Sequence, residues 1–251
     1  RSYSVTGVQT CALPIYIYSF QDAMVDTVDA VSLTAYADDC LYGGAVYLDG
    51  DGADSANVVN IDVSIVEATS GIYDLDGGVV YVQGYETVRV DTVDVAELDA
   101  YAENGLEGGA VCLYGLYSGS ASAVNINVES ANIEADSYYS GNLLGGIASI
   151  INFDDARMDS VTVPRLISHS YSYLYGGALY LNGTGIASAT VSNIRLRDLS
   201  AYSSNDSTYG GAICMYSFDG ETVQDSTFDT ITSESIRSEE RRVGKECRSR
   251  W

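Results

Sequence analysis

The chain has 251 residues, with 12 Lys+Arg against 35 Asp+Glu, a net charge of −23 and 46% apolar residues. That acidic excess argues against nucleic acid and anionic membrane surfaces as partners. The apolar share argues against a wholly disordered chain, and no run approaches the roughly 18 apolar residues of a membrane helix.

The chain opens on Val5-Thr6-Gly7-Val8-Gln9-Thr10-Cys11-Ala12-Leu13-Pro14-Ile15, which resembles a translated short-read sequencing adapter. It closes on Arg237-Ser238-Glu239-Glu240-Arg241-Arg242-Val243-Gly244-Lys245-Glu246-Cys247 and on to Trp251, which resembles the partner adapter. Such segments are set aside before fold reasoning. Residues 1–15 and 237–251 are therefore expected to be artefact, and 16–236 a fragment of a repeat domain. The alternative is a basic tail for nucleic acid. Without these ends Lys+Arg falls from 12 to 5 and Asp+Glu from 35 to 32, a net charge of −27. Cations, basic surfaces and solubility suit such a chain.

The first predicted strand runs from Val25-Asp26-Thr27-Val28-Asp29 to Ala35-Tyr36-Ala37. It matches Val90 to Ala102 at nine of thirteen positions. Asn60-Ile61-Asp62-Val63, Asn125-Ile126-Asn127-Val128 and Asn193-Ile194-Arg195-Leu196 occupy the same place in other repeats. All alternate apolar with polar, the pattern of a half-buried strand. About 18 residues after each comes a glycine pair: Gly43-Gly44, Gly77-Gly78, Gly108-Gly109, Gly145-Gly146, Gly176-Gly177 and Gly210-Gly211. The steps between pairs are 34, 31, 37, 31 and 34 residues. Each pair fits a sharp bend needing positive φ or close backbone approach.

Four residues after each pair form a second strand. Its second position reads Val46, Val80, Val111, Ala148, Leu179, Ile213, and its fourth reads Leu48, Val82, Leu113, Ile150, Leu181, Met215. Positions two apart share a face, so these columns are expected in the core. The third position, Tyr47, Tyr81, Cys112, Ser149, Tyr180 and Cys214, is expected on an outer face. Cys112 and Cys214 then lie three coils apart, roughly 14 Å at about 4.8 Å per coil, beyond disulfide reach. Cys40, Cys112 and Cys214 read as free thiols.

Coils of 31 to 37 residues carrying two or three strands predict an all-β fold, a right-handed parallel β-helix of about six coils. A β-propeller is the main rival, but its blades are longer. The Gly-Gly-Ala-(Val/Leu/Ile) motif between Asn-bearing strands resembles the repeats of polymorphic outer-membrane proteins and related adhesin-like β-helices. The likeness is closest at Gly210-Gly211-Ala212-Ile213. It implies a surface-exposed or secreted, often adhesive passenger region, whose partners are a host or cell-surface protein or glycan and further β-helix coils.

Asp49, Asp51 and Asp54 are the candidate calcium ligands. The EF-hand pattern fails there, since its sixth and twelfth positions hold Asp54 and Asn60, leaving an acidic turn as the other reading. No other cofactor is expected. Asp38-Asp39 and Asp154-Asp155 are adjacent carboxylates that point apart on a strand, unlike a glycosidase pair. Arg89, Arg157, Arg165, Arg195 and Arg197 show no cluster in sequence, and His169, the sole histidine, reads as an exposed loop residue. No catalytic residue is assigned. The preferred reading is a non-enzymatic structural or adhesive segment, located extracellularly or on the cell surface. The alternative is a carbohydrate-active β-helix, either a lyase or hydrolase or a tailspike-like depolymerase. The tyrosine columns Tyr47/Tyr81/Tyr180 and Tyr36/Tyr101/Tyr202 are read as stabilising ladders or as a binding face.

Overall fold

The structure is a computed structural model describing residues 3–4, 15–116, 119–136, 141–224 and 226–235. Segments 1–15 and 237–251, apart from 3–4 and 15, lie outside the described residues. The described chain contains strands and no helix, and every strand pairing is parallel. It winds into a β-solenoid of about six turns.

The expected core columns form ladders. Val46, Val80, Val111, Ala148, Leu179 and Ile213 are successive register partners, and so are Leu48, Val82, Leu113, Ile150, Leu181 and Met215. All are buried. Such stacking follows from the parallel ladder: identical positions in consecutive coils must share one side of the sheet.

The two glycines of each pair have separate tasks. The first is left-handed, with φ between 56° at Gly43 and 65° at Gly145, where a Cβ is strained. The second lies against the coil above. A Cβ on Gly109 would sit 2.4 Å from the Gly146 carbonyl oxygen, and one on Gly44 would sit 2.3 Å from that of Gly78.

A second bend uses no glycine. Thr27, Asn60, Thr92, Asn125, Ser160 and Asn193 all have φ between 55° and 64°. Their side chains offset the strain. Thr92 Oγ1 donates to Asp91 Oδ1 of its own coil at 3.2 Å, and Asn125 Nδ2 donates to the same oxygen from the next coil at 2.9 Å. Asn60 serves Asp26 and Asn193 serves Asp159 in the same way. Burial works against ionisation of Asp91, but hydrogen bonds from Arg89, Asn125 and Thr92 outweigh it and hold the carboxyl below its usual range.

The bend residues alternate Thr or Ser with Asn, so the structural period is two coils. Aromatic rings follow the same beat. A Cβ on Gly50 would sit 2.9 Å from the Tyr85 ring, one on Gly115 would sit 3.0 Å from the Phe153 ring, and one on Gly183 would sit 2.6 Å from the Phe218 ring. A glycine in one coil makes room for the ring of the next.

Six two-residue strands, one per turn, build a second sheet: Leu41–Tyr42, Leu75–Asp76, Leu106–Glu107, Leu143–Leu144, Leu174–Tyr175 and Thr208–Tyr209. Leu75, Leu106, Leu143 and Leu174 point into the core. The third column keeps its expected outer-face place, outside the main core cluster, but this sheet covers it. Tyr81, Cys112, Ser149, Tyr180 and Cys214 are buried, because the outward residues of the short strands fold over them across the glycine bend.

Gly109→Ala is expected to lower stability by about 3 kcal/mol through its clash with the adjoining coil. Gly220→Ala, with no heavy atom within 4 Å of its Cβ, should change stability by less than about 0.5 kcal/mol. Urea denaturation of both variants checks the pair.

Candidate functional site

The residue before each glycine pair reads Tyr42, Asp76, Glu107, Leu144, Tyr175 and Tyr209. These face the third column across the bend. The Tyr42 ring lies 5.7 Å from that of Tyr47 and 5.2 Å from that of Tyr81, and Tyr175 lies 6.1 Å from Tyr180. Outward side chains of the two sheets thus meet across the bend. Along the axis the column reads aromatic, acidic, apolar at Leu144, then aromatic. Tyr16, Tyr42, Tyr47 and Tyr81 gather at one end. Tyr173, Tyr175, Tyr180 and Tyr209 gather at the other, with Tyr175 and Tyr209 stacked at 4.9 Å. Tyr42 and Tyr209 remain 38% and 39% exposed, enough ring surface to meet a ligand.

The first aromatic cluster is fastened by one amide. Tyr81 OH donates to Gln83 Oε1 at 2.9 Å, while Gln83 Nε2 donates to Tyr47 OH at 2.8 Å and to Asp49 Oδ2 at 3.0 Å. Burial and the Asp49 charge push the Tyr47 hydroxyl up to about 12, so it stays a neutral donor at any physiological pH.

Between the clusters, Asp76 and Glu107 are register partners on adjacent rungs. Burial, then the Glu107 and Asp74 charges, raises the Asp76 carboxyl to about 8. Burial and Asp74 raise Glu107 to about 7. Asp76 Oδ1 is buried without a hydrogen-bond partner. The Cys112 thiol behind them is also pushed up, by burial and then by Asp76 and Glu107. Near neutrality this stretch of the corner retains protons that ordinary carboxylates would have lost.

The structure does not gather Asp49, Asp51 and Asp54 into a metal cage. Asp49 is taken up by Gln83 and by the Asp51 backbone N–H at 3.3 Å, and the described residues hold no group of three or more metal-ligating side chains. The arginines are brought together in two places. Arg89 and Arg157 share a column with Ser122 between them, and each is paired to an aspartate in its own strand at 2.6 and 2.7 Å. Arg195 and Arg197 line a depression of about 430 Å³ with Pro164 and Thr162. Cys40, Cys112 and Cys214 form no disulfide among the described residues, and the last two lie three rungs apart as expected.

His169 is not in a loop. It belongs to the strand Arg165–Ser170 and its side chain is only 15% exposed. The inward partners that hide this strand from sequence reading are serines. Ser168 and Ser170 are fully buried and donate to the carbonyls of Gly177 at 2.5 Å and Tyr173 at 2.8 Å. Asp76 and Glu107 also went unread, although their place just before a glycine pair marks one column.

No protein-family model, curated protein or solved structure matches the chain. The likeness to adhesin-like repeats therefore rests on the glycine motif.

The acid pair sets a pH dependence. The folded chain binds more protons than the unfolded one between about pH 4, the ordinary carboxylate value, and the raised values of about 7 and about 8. The pair's contribution to stability is fully present below that window and is lost as pH rises through it. Melting temperature should fall from about pH 5 to about pH 8.5, and Glu107→Gln should flatten the fall. Thermal melts across that range check both.

Proposed function

We propose that this chain is a structural and adhesive segment of a larger surface-exposed or secreted protein. Its contact surface is the tyrosine and carboxylate corner. One observation carries this reading: a strip along the glycine corner with exposed tyrosine rings at both ends, Tyr42 and Tyr209, and the carboxyls of Asp76 and Glu107 between them. Exposed tyrosine rings offer large, rigid, amphipathic contact area. Five rungs from Tyr42 to Tyr209 span about 24 Å, which suits an extended glycan or polypeptide. The chain's net charge of −23 favours a neutral or basic ligand and disfavours nucleic acid. Further coils of the same protein are natural partners for the open strand edges.

Glycan-array and cell-adhesion binding test this. Tyr42→Ala and Tyr209→Ala should each weaken binding about tenfold or more with melting unchanged. Equal binding by the folded variants would remove the corner from the account.

No calcium requirement at Asp49, Asp51 and Asp54 is part of this proposal, and that has its own test. Because Asp49 is held by Gln83, chelator is expected to leave the melting temperature unchanged. A clear drop on chelation would instead make Asp49, Asp51 and Asp54 calcium ligands. The carbohydrate-active alternative draws on another face of the molecule, the one around His169.

A further inference from the structure

Three side chains, each 35 residues from the next, meet on three consecutive coils. Glu134 lies in Ser120–Ala135 and is the register partner of His169. His169 is in turn the partner of Tyr202 in Arg195–Ser203. Ser204 follows that strand directly. Glu134 Oε1 is 3.2 Å from His169 Nδ1, and Ser204 Oγ is 2.7 Å from His169 Nε2. The Tyr202 ring stacks on the imidazole at 4.4 Å and 19°, which fixes its plane.

The first contact follows from register alone; the second does not. Ser204 lies two residues beyond the rung neighbour of His169, outside the strand. It is held there by backbone bonds, from Ser204 N–H to the Ser170 carbonyl and from Asn205 N–H to the Tyr171 carbonyl, both at 2.9 Å. The imidazole must turn toward the loop to reach it. An ionised carboxylate only accepts hydrogen bonds, so Nδ1 carries the proton facing Glu134. Nε2 is left as the acceptor for the Ser204 hydroxyl. A nucleophile within hydrogen-bond reach of a base, itself oriented by a third group, is the arrangement that activates serine, and it is recognised by geometry and roles on unrelated folds.

We propose that Ser204, His169 and Glu134 form a hydrolytic triad acting on neutral carboxylic esters, such as O-acyl groups on sugars. Neutral substrates are favoured because Tyr101, the rung partner of Glu134, lies in the field of Asp136, Glu103 and Glu134, which repels anionic esters. Ser204 Oγ attacks the ester carbonyl carbon as its proton passes to Nε2. The tetrahedral oxyanion collapses, the C–O bond to the alcohol breaks, and His169 returns the proton to the departing alkoxide. Water then attacks the acyl-serine with His169 again as base, releasing the carboxylic acid and regenerating Ser204. The Ser204 and Asn205 backbone amides are committed to the ladder, so neither donates to the oxyanion.

The test uses the full chain with p-nitrophenyl acetate at neutral pH and a fluorophosphonate label read by peptide mass spectrometry. The expected result is ester cleavage above the buffer rate and one label on Ser204. Ser204→Ala and His169→Gln should each lose on the order of 10²-fold or more in rate. Glu134→Gln, which keeps the side-chain shape, should also slow cleavage. Circular dichroism confirms that each variant is folded. Cleavage by Ser204→Ala at the undiminished rate would assign the reaction to bare imidazole and overturn the proposal. So would the absence of both turnover and label. Ligand binding at the tyrosine corner should be unchanged in Ser204→Ala, so the two sites fail or stand separately.

Discussion

The solenoid depends on how closely its glycine bends approach one another. At each turn the second glycine lies so near the next coil's carbonyl that a single added carbon would overlap it, as Gly44, Gly78, Gly109, Gly146 and Gly177 all show. That contact sets the rise between coils at the corner. The hydrogen bonds that run on from it, such as Gly44 N–H to Gly78 O at 3.2 Å and Gly109 N–H to Gly146 O at 3.1 Å, then fix the register. With register fixed, residues 31 to 37 apart in the chain become neighbours, and every ladder follows.

Both sites are consequences of this stacking. Asp76 and Glu107 meet because they hold one position in successive coils. They lose water because the bend folds the short sheet over Tyr81, Cys112 and Ser149. Glu134 and His169 meet by the same rule on another column. A solenoid brings unlike chemistry together wherever the repeat is broken. Its ladders are uniform in the core and vary outside, so function collects in the columns where one coil differs from the next.

How much was legible in the sequence follows from the same logic. The Val46 and Leu48 columns could be read because each coil restates them in apolar residues. The glycine pairs could be read as bends, though not which glycine supplied positive φ and which supplied space. The burial of Cys112 and Ser149 was hidden, because strands of two residues such as Leu106–Glu107 carry no periodicity. The strand holding His169 was hidden because two of its three inward residues, Ser168 and Ser170 beside Leu166, satisfy carbonyls in place of apolar packing. The two-coil period was half visible, in the nine of thirteen matches between 25–37 and 90–102. Its cause, the Asp91–Asn125 bond between coils, needed the structure.

The most direct test of this account is a nuclear Overhauser spectrum of the chain labelled with nitrogen-15 at glycine. Parallel in-register coils place the second glycines of successive pairs about 4.8 Å apart. The account predicts an unbroken series of amide contacts linking Gly44, Gly78, Gly109, Gly146, Gly177 and Gly211 in that order. Contacts confined within each pair, or joining pairs that are not consecutive, would contradict the stacking from which both sites are built.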